Sequence, residues 1–569
     1  MPTDDERLPT GLEVIIERCS TSRNRRRTTY RYLRQWFQRG VESGGLPALF
    51  NRLHAHVEKL SSMIYAPESS RFALAVSPAV RQGLLPQLDI ARDEWAQVWR
   101  ATGSDVAFAT AVDWATVYGT IVCKVIPGEG GAVHYADIDP AAFGVGREDI
   151  PSLDRQPYFT HWYVISLPEL QDKIRGLPVE EQARIMAHAE AHALPNHSAG
   201  VDAGSPGGMM GDVVVTSMAD PSHVQGYLDL SAMNSDRPDV TEPLVELAEV
   251  WVRSQYTKAE PAQDPVRFWD WKVSTVLGPF TLWETRNPVL PYVPANPTRQ
   301  EGPIQAELPF VAVRVNPVRD YFWGRSEVAP LTRLQAVADD HLADIRDMMG
   351  RQLDPSGLMT GVPFAPDKIE AIRKKGNWLA VAAPGGKLQP LVPTMPPQAF
   401  ELLQKFDEMF NEEGGIPEDL GTGQEDIRVQ GQIAGTARKM GRIRKKALVV
   451  EDALEVLATR MFHVKQRNDE TAYPLEDGTV FYLADLPADC VVQVSAHSAS
   501  PVYAEQELEK AALLYKAGAI DDLDFIEMVN PAQADRLREK AKGIMEGKAK
   551  AAGEKMDIER LKATRPARR

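Results

Sequence analysis

Cysteine is scarce. The 569 residues hold three, Cys19, Cys123 and Cys490, all far apart. That spacing excludes a C-x-x-C metal or redox motif and a disulfide-stapled fold. An odd number of dispersed thiols is expected to stay reduced. Long apolar runs are also missing: none approaches the roughly 18 residues that span a bilayer. The start, MPTDDERLPT, is acidic and polar, unlike a secretory signal. A soluble chain made in the cytoplasm, with no membrane partner, is therefore expected. Catalytic signatures are absent too. There is no G-x-x-x-x-G-K-[ST] to cradle a triphosphate, no G-x-S-x-G and no H-E-x-x-H. The sequence points away from an enzyme and implies no cofactor. Positive charge is in deficit, with a formal net charge of −15 and a pI near 5.4. A tight DNA reader carries a basic face, so any DNA contact here is expected to be local and weak.

What is present is enough apolar matter for a real core: 43% hydrophobic residues and 11 tryptophans exclude a disordered chain. At roughly 100–200 residues per domain, several units are expected. Residues 1 to about 100 read as helical, including Asn51 to Tyr65, with Leu53, Val57, Leu60 and Ile64 at helical spacing before Pro67. The basic, aromatic stretch Arg23 to Arg39 reads as a solvated helix face ahead of a polyanion contact. Asp105 to Tyr118 predicts a helix stopped by Gly119. Thr120–Ile126 and Ala132–Ile138 then predict a hairpin turning at GEGG. Residues 165–260 read as helix alternating with loop, with a Gly/Ser/Pro-rich loop at Ala199–Asp212. Arg267–Thr285 reads as a strand pair turning at Gly278-Pro279.

The later half is more regular. Pro330–Leu353 predicts a long amphipathic helix with Leu331, Leu334, Ala338, Leu342, Ile345 and Met349 in one packing stripe. A Pro/Gly-rich segment follows, then a helix at Gln398–Glu413 stopped by Gly414-Gly415. Ile416–Gln432 lacks apolar period and reads as a loop. A very long helix is expected from Ile433 to Gln466, basic in its first half. Its cluster Arg438, Lys439, Arg442, Lys445 and Lys446 fits DNA phosphates or a neighbour's carboxylates as well as ordinary surface pairing. Two clusters invite a metal. His188, His192 and His197 read as a solvated helix face, and Asp339, Asp340 and Asp344 as the polar side of the amphipathic helix. No metal site is expected.

The order of these pieces is the distinctive feature. Gly324-Arg325-Ser326 leads into LTRLQAVADDHLADIRDMM, then a Pro/Gly-rich segment, a short helix and G-G-I-P-x-x-L-G at 414–421. Ala434-Gly435-Thr436-Ala437 opens the long helix with Glu451-Asp452, and Ala517-Gly518-Ala519-Ile520-Asp521 and Met528-Val529-Asn530-Pro531 close the chain. With Tyr118-Gly119 and Ile138-Asp139-Pro140-x-x-Phe143, this resembles tailed-bacteriophage portal proteins over most of the chain. The resemblance implies an α+β, predominantly helical subunit of a head-to-tail connector ring. Its parts would be an N-terminal wing (1–325), stem helix 1 (326–354), clip (355–396), stem helix 2 (397–415), tunnel loop (416–432), wing spine helix and strands (433–500), and crown with charged tail (501–569). It implies a dodecamer at one capsid vertex of the virion, a conduit for DNA packaging and ejection. The partners would be double-stranded DNA bound without sequence preference, the large terminase, major capsid and scaffolding proteins, and head–tail adaptor or tail proteins. The tunnel loop would offer Gln424, Arg428, Gln430 and Gln432 to DNA. Rival readings are another head–tail connector, a metal-dependent nucleic-acid enzyme using Asp339, Asp340 and Asp344, and a scaffold that binds no DNA.

Overall fold

The computed structural model describes residues 11–38, 51–66, 72–77, 83–193, 243–260, 263–294, 303–353, 356–360, 379–381, 387–391, 398–414, 429–475 and 478–494, with short pieces at 511–516, 520–521 and 525–526. Within 257–266, 351–391 and 429–440 the backbone alone is described. Helix and sheet are mixed in one chain, helix being the larger share. Among the described residues, no helix is long and apolar enough to cross a membrane.

The chain opens with α1 (Leu12–Phe37), α2 (Arg52–Ile64), β1 (Phe72–Ala75), α3 (Leu85–Ala101) and α4 (Ser104–Tyr118). Asn51 starts α2 because its side chain accepts the His54 amide at 3.1 Å, filling one of the orphan donors of the first turn. Gly119 ends α4 in the left-handed region at φ +89°, which a side chain would disfavour. The hairpin β2 (Ile121–Pro127) and β3 (Val133–Ile138) follows as expected, and Asp139 caps the turn into β4 (Phe143–Val145) by accepting the Ala141 amide at 2.8 Å.

Next come β5 (Tyr158–Ser166), α5 (Leu167–Lys173), α6 (Val179–Ala191), β6 (Leu244–Glu260), β7 (Gln263–Leu277), β8 (Phe280–Arg286) and β9 (Phe310–Val313). They build two sheets, β4-β5-β6-β7-β8 and β3-β2-β9. The expectation of helix and loop up to residue 260 is corrected here: Leu244–Glu260 is a long strand. Its inner stretch is covered on both faces, by α1 against Ala248 and Val250 and by the other sheet against Trp251. Apolar residues therefore run almost continuously instead of alternating, and the period that marks a half-buried strand is lost. The loop 199–212 lies outside the described residues.

Strand alternation sets the layers. In β2, Ile121, Cys123 and Val125 face a helical core with Trp95, Trp99 and Phe108, while Val122 joins Phe143, Phe159, Trp251, Phe310 and Trp323 between the sheets. Lys124, on the inter-sheet side, meets Glu249 and His161 of the larger sheet. Helices, small sheet and large sheet thus stack as layers around shared apolar cores.

From this body runs α7 (Val328–Leu353), a small sheet of β10 (Ser356–Thr360), β11 (Leu379–Val381) and β12 (Lys387–Leu391), then α8 (Gln398–Gly414). In the small sheet, β10 is central, parallel to β11 and antiparallel to β12. The helices α7 and α8 are antiparallel. The His341 ring bonds the Ala399 carbonyl at 3.0 Å, and Phe410 packs beside Val328 and Leu331. Last come α9 (Val429–Asn468), β13 (Tyr473–Pro474), β14 (Val480–Phe481) and β15 (Val491–Val494), which pairs with β1. At about 1.5 Å per residue, the 40 residues of α9 run about 60 Å. Its Ile443, Val450, Leu454, Leu457, Met461 and Phe462 complete the helical core.

The packing stripe of α7 is corrected in part. Leu331, Ala338 and Ile345 are buried and Leu334 and Leu342 half-buried, but Met349 is 50% exposed. Met349 lies about two turns beyond His341, where α8 has not yet begun, so α8 offers it no cover. The basic stretch of α1 is corrected in part, since Arg25 and Arg31 are exposed while two other arginines turn inward. Arg23 is buried, bonds Glu246 and the Ala141 carbonyl at 2.6 Å each, and lies 4.6 Å from the Trp162 ring centre. Arg26 pairs with Glu148 over the Trp323 ring. These arginines dock α1 on the body instead of facing solvent.

Candidate interaction site where the helix pair meets the long helix

The sequence motif Gly324-Arg325-Ser326 builds one wall of the site. Gly324 crosses Gly119 so closely that a Cβ on either would lie within 2.5 Å of the other's carbonyl oxygen. The Gly324 amide donates to Thr120 Oγ1 at 2.7 Å. Ser326 then caps α7: its hydroxyl accepts the Val328 and Ala329 amides at 3.1 Å each and donates to the Val117 carbonyl. Asn316 holds Arg325 by both backbone groups, accepting its amide at 2.9 Å and donating to its carbonyl at 3.1 Å. Glu327, whose amide bonds the Thr116 carbonyl at 3.0 Å, pairs with Lys446 of α9 and accepts from Asn316.

These elements surround a cavity of about 410 Å³. Asn316, Arg325, Glu327, Glu413, Arg442, Lys445 and Lys446 contribute its polar lining. Arg325, Arg442 and Lys445 are exposed, and their side chains have no hydrogen bond or ion pair among the described residues. Lys446 is mostly buried and neutralised by Glu327, so it is not available to a polyanion in the way the sequence suggested. Among the described residues, the cavity lining thus offers three cations without an ion pair, with the exposed carboxylate of Glu413 beside them, on a chain of net charge −15. Such a focus attracts anionic groups.

His56 of α2 lies behind the site. Gly414 of α8 approaches it so closely that a Cβ there would meet the ring at 1.9 Å, which explains the glycine stop of that helix. Burial pushes the His56 imidazole down to about 4. Glu327 pulls it up, while Lys446 and Lys59 push it further down. The unfolded chain therefore takes the proton more readily than the folded one. The neutral ring's contribution is complete above the ordinary value of 6.5 and is lost as pH falls from there toward 4. The expected loss is at most about 3 kcal/mol. Urea midpoints between pH 7 and 4 test this against His56→Phe, which should flatten the profile. Parallel profiles would assign the acid sensitivity to other groups.

Of the expected site residues, Gln424 and Arg428 lie outside the described residues. Gln430 and Gln432 are corrected from loop to helix. α9 begins at Val429, so both stand in its first turn. Arg438 and Lys439 follow on the same helix, with their side chains outside the description. Only Arg442, Lys445 and Lys446 of the basic cluster line the cavity. Asp339 accepts from Gln335 at 2.8 Å, and Asp340 and Asp344 are exposed. The ring centres of His188 and His192 lie 4.1 Å apart with the planes tilted by 30°, and His197 lies outside the described residues. No group of three or more metal-type ligands occurs among the described residues.

Sequence reasoning missed Arg325, treating it as part of a turn. It also missed the buried Lys124–Glu249–His161 group. The signal was there: one lysine inside the apolar run IVCKVIP. No protein-family model matches the chain, and no curated protein matches its sequence.

Proposed function

We propose that the chain is the subunit of a portal-type ring of a tailed bacteriophage, set at one capsid vertex and passing double-stranded DNA during packaging and ejection. The observation that carries this reading is the order of elements after residue 327. An antiparallel helix pair flanks a small sheet, and a 40-residue helix then returns through the body. The pair leaves Val337, Met349, Phe400 and Met409 at least half exposed, and neighbours in a closed ring would cover such side chains. The role is passive. The small sheet would dock the large terminase, which supplies the work, and later the adaptor or tail proteins. Contacts to DNA would be sequence-blind and weak, as the acidic balance favours, so that DNA slides and does not stall.

Negative-stain electron microscopy of the purified chain tests the proposal. Class averages are expected to show rings with a central hole wide enough for duplex DNA. Compact particles without a channel under every assembly condition, with scaffolding protein included, would sink it.

A further inference from the structure

The three unspent cations have a counterpart elsewhere on the same chain. Helix α8 carries five carboxylates against one lysine. Asp407 is taken by Arg52 at 3.1 Å. Glu401, Glu408 and Glu412 are exposed, and no hydrogen bond or ion pair engages them among the described residues. Spacings of seven and four residues put these three on one ridge, opposite the buried Ala399, Phe406 and Phe410. Lys405 interrupts that ridge without removing its sign. Leu402 and Met409, 39% and 50% exposed, flank it. On α9, Leu448 is likewise 43% exposed beside Lys445.

Among the described residues, the two charged surfaces make no ion pair with one another within one chain. Of α8, only Glu413 and Gly414 line the basic cavity, while the ridge lies elsewhere on a helix fastened to α7. We propose that the acidic ridge of α8 in one copy seats on the Arg325–Arg442–Lys445 cavity of the next copy, with Leu402 and Met409 meeting Leu448. This rests on the ring reading above and names the contact that would close the ring. Because the two surfaces are different patches of one chain, the contact is head-to-tail, the kind that propagates around a rotation axis. Charge complementarity would set its register and make it weaken with salt.

Two charge-inverted variants of the full chain test it, Glu408→Lys with Glu412→Lys, and Arg442→Glu with Lys445→Glu. Assembly is followed by mass photometry at low salt, and circular dichroism checks that each variant folds. The wild type is expected to form rings. Each variant alone should need at least tenfold more protein to assemble. An equimolar mixture should recover wild-type assembly, since each copy then meets a complementary neighbour. Rings from either variant at wild-type concentration would overturn the contact and leave the ring reading standing. So would failure of the mixture to recover. If the base-inverted variant assembles normally but loses retention of duplex DNA on a filter, the cavity is a polyanion site and the contact is again overturned. A wild type that never closes a ring overturns the ring reading itself, and this contact with it.

Discussion

Lys124→Met is expected to destabilise the protein by about 3–5 kcal/mol, the usual cost of leaving one buried charge without its partner. Lys124 Nζ stands 2.6 Å from Glu249 Oε2, and His161 Nδ1 meets the same oxygen at 3.1 Å. These side chains are 4%, 5% and 1% exposed. Burial works to raise the Glu249 carboxyl, but the Lys124 ammonium and the bond to His161 overcome it and hold the carboxyl at about 2. Burial likewise pushes the Lys124 and His161 groups down. The methionine variant strands an ionised carboxylate between two sheets that share this group as their polar link. Lys124→Met with Glu249→Leu should cost far less than the sum of the single changes, because no buried charge is then orphaned. Denaturant titration of the four proteins at pH 7 measures this. Additive costs would mean the pair is not coupled. The sign with pH follows from the depressed carboxyl. Its contribution is complete above the ordinary value of 4.5 and is lost as pH falls through about 2. Between pH 5 and 8 the Glu249 carboxyl should leave stability flat, whereas the neutral His161 ring, pushed down by burial, begins to lose its contribution as pH falls below the ordinary value of 6.5.

Gly119→Ala and Gly324→Ala should each cost about 3 kcal/mol or more, from a clash that rigid neighbours cannot relieve, joined at Gly119 alone by the strain of a left-handed backbone. At Gly119 a Cβ would sit 2.5 Å from the Gly324 carbonyl oxygen, and at Gly324 one would sit 2.1 Å from that of Gly119. Both obstacles are backbone, held by the Thr120 hydroxyl and by the Ser326 cap. Gly103→Ala is the control. It has φ +65° but open space around it, so only the left-handed backbone is penalised, at about 1–2 kcal/mol. Thermal melts of the three variants separate the two causes. Equal losses at Gly103 and Gly119 would show that the crossing yields. A larger loss at Gly119 and Gly324 than at Gly103 should also loosen Arg325 and the start of α7, which the crossing holds in place.

The sequence by itself determined the features that act over a few residues. Asn51 starts a helix and Gly119 stops one because a cap and a left-handed backbone are local demands. The GEGG turn and the amphipathic stripe of Pro330–Leu353 were legible for the same reason. What the stripe could not say was where its partner ends, which is why Met349 emerges exposed.

Only the tertiary structure decided which charges are spent. Lys124 finds Glu249 across 125 positions, Lys446 finds Glu327 across 119, and Arg460 finds Asp154 across 306. Arg23 and Arg26, read as a polar face, turn inward to Glu246 and Glu148. Composition counts these arginines and lysines alike with Arg325, Arg442 and Lys445. A buried cation must be paired where it lies, whereas an exposed one need not be. Burial is a property of the packed layers, not of the local sequence. That is why the basic cluster could be seen in the sequence, while the charges still free for a partner became visible only in the fold.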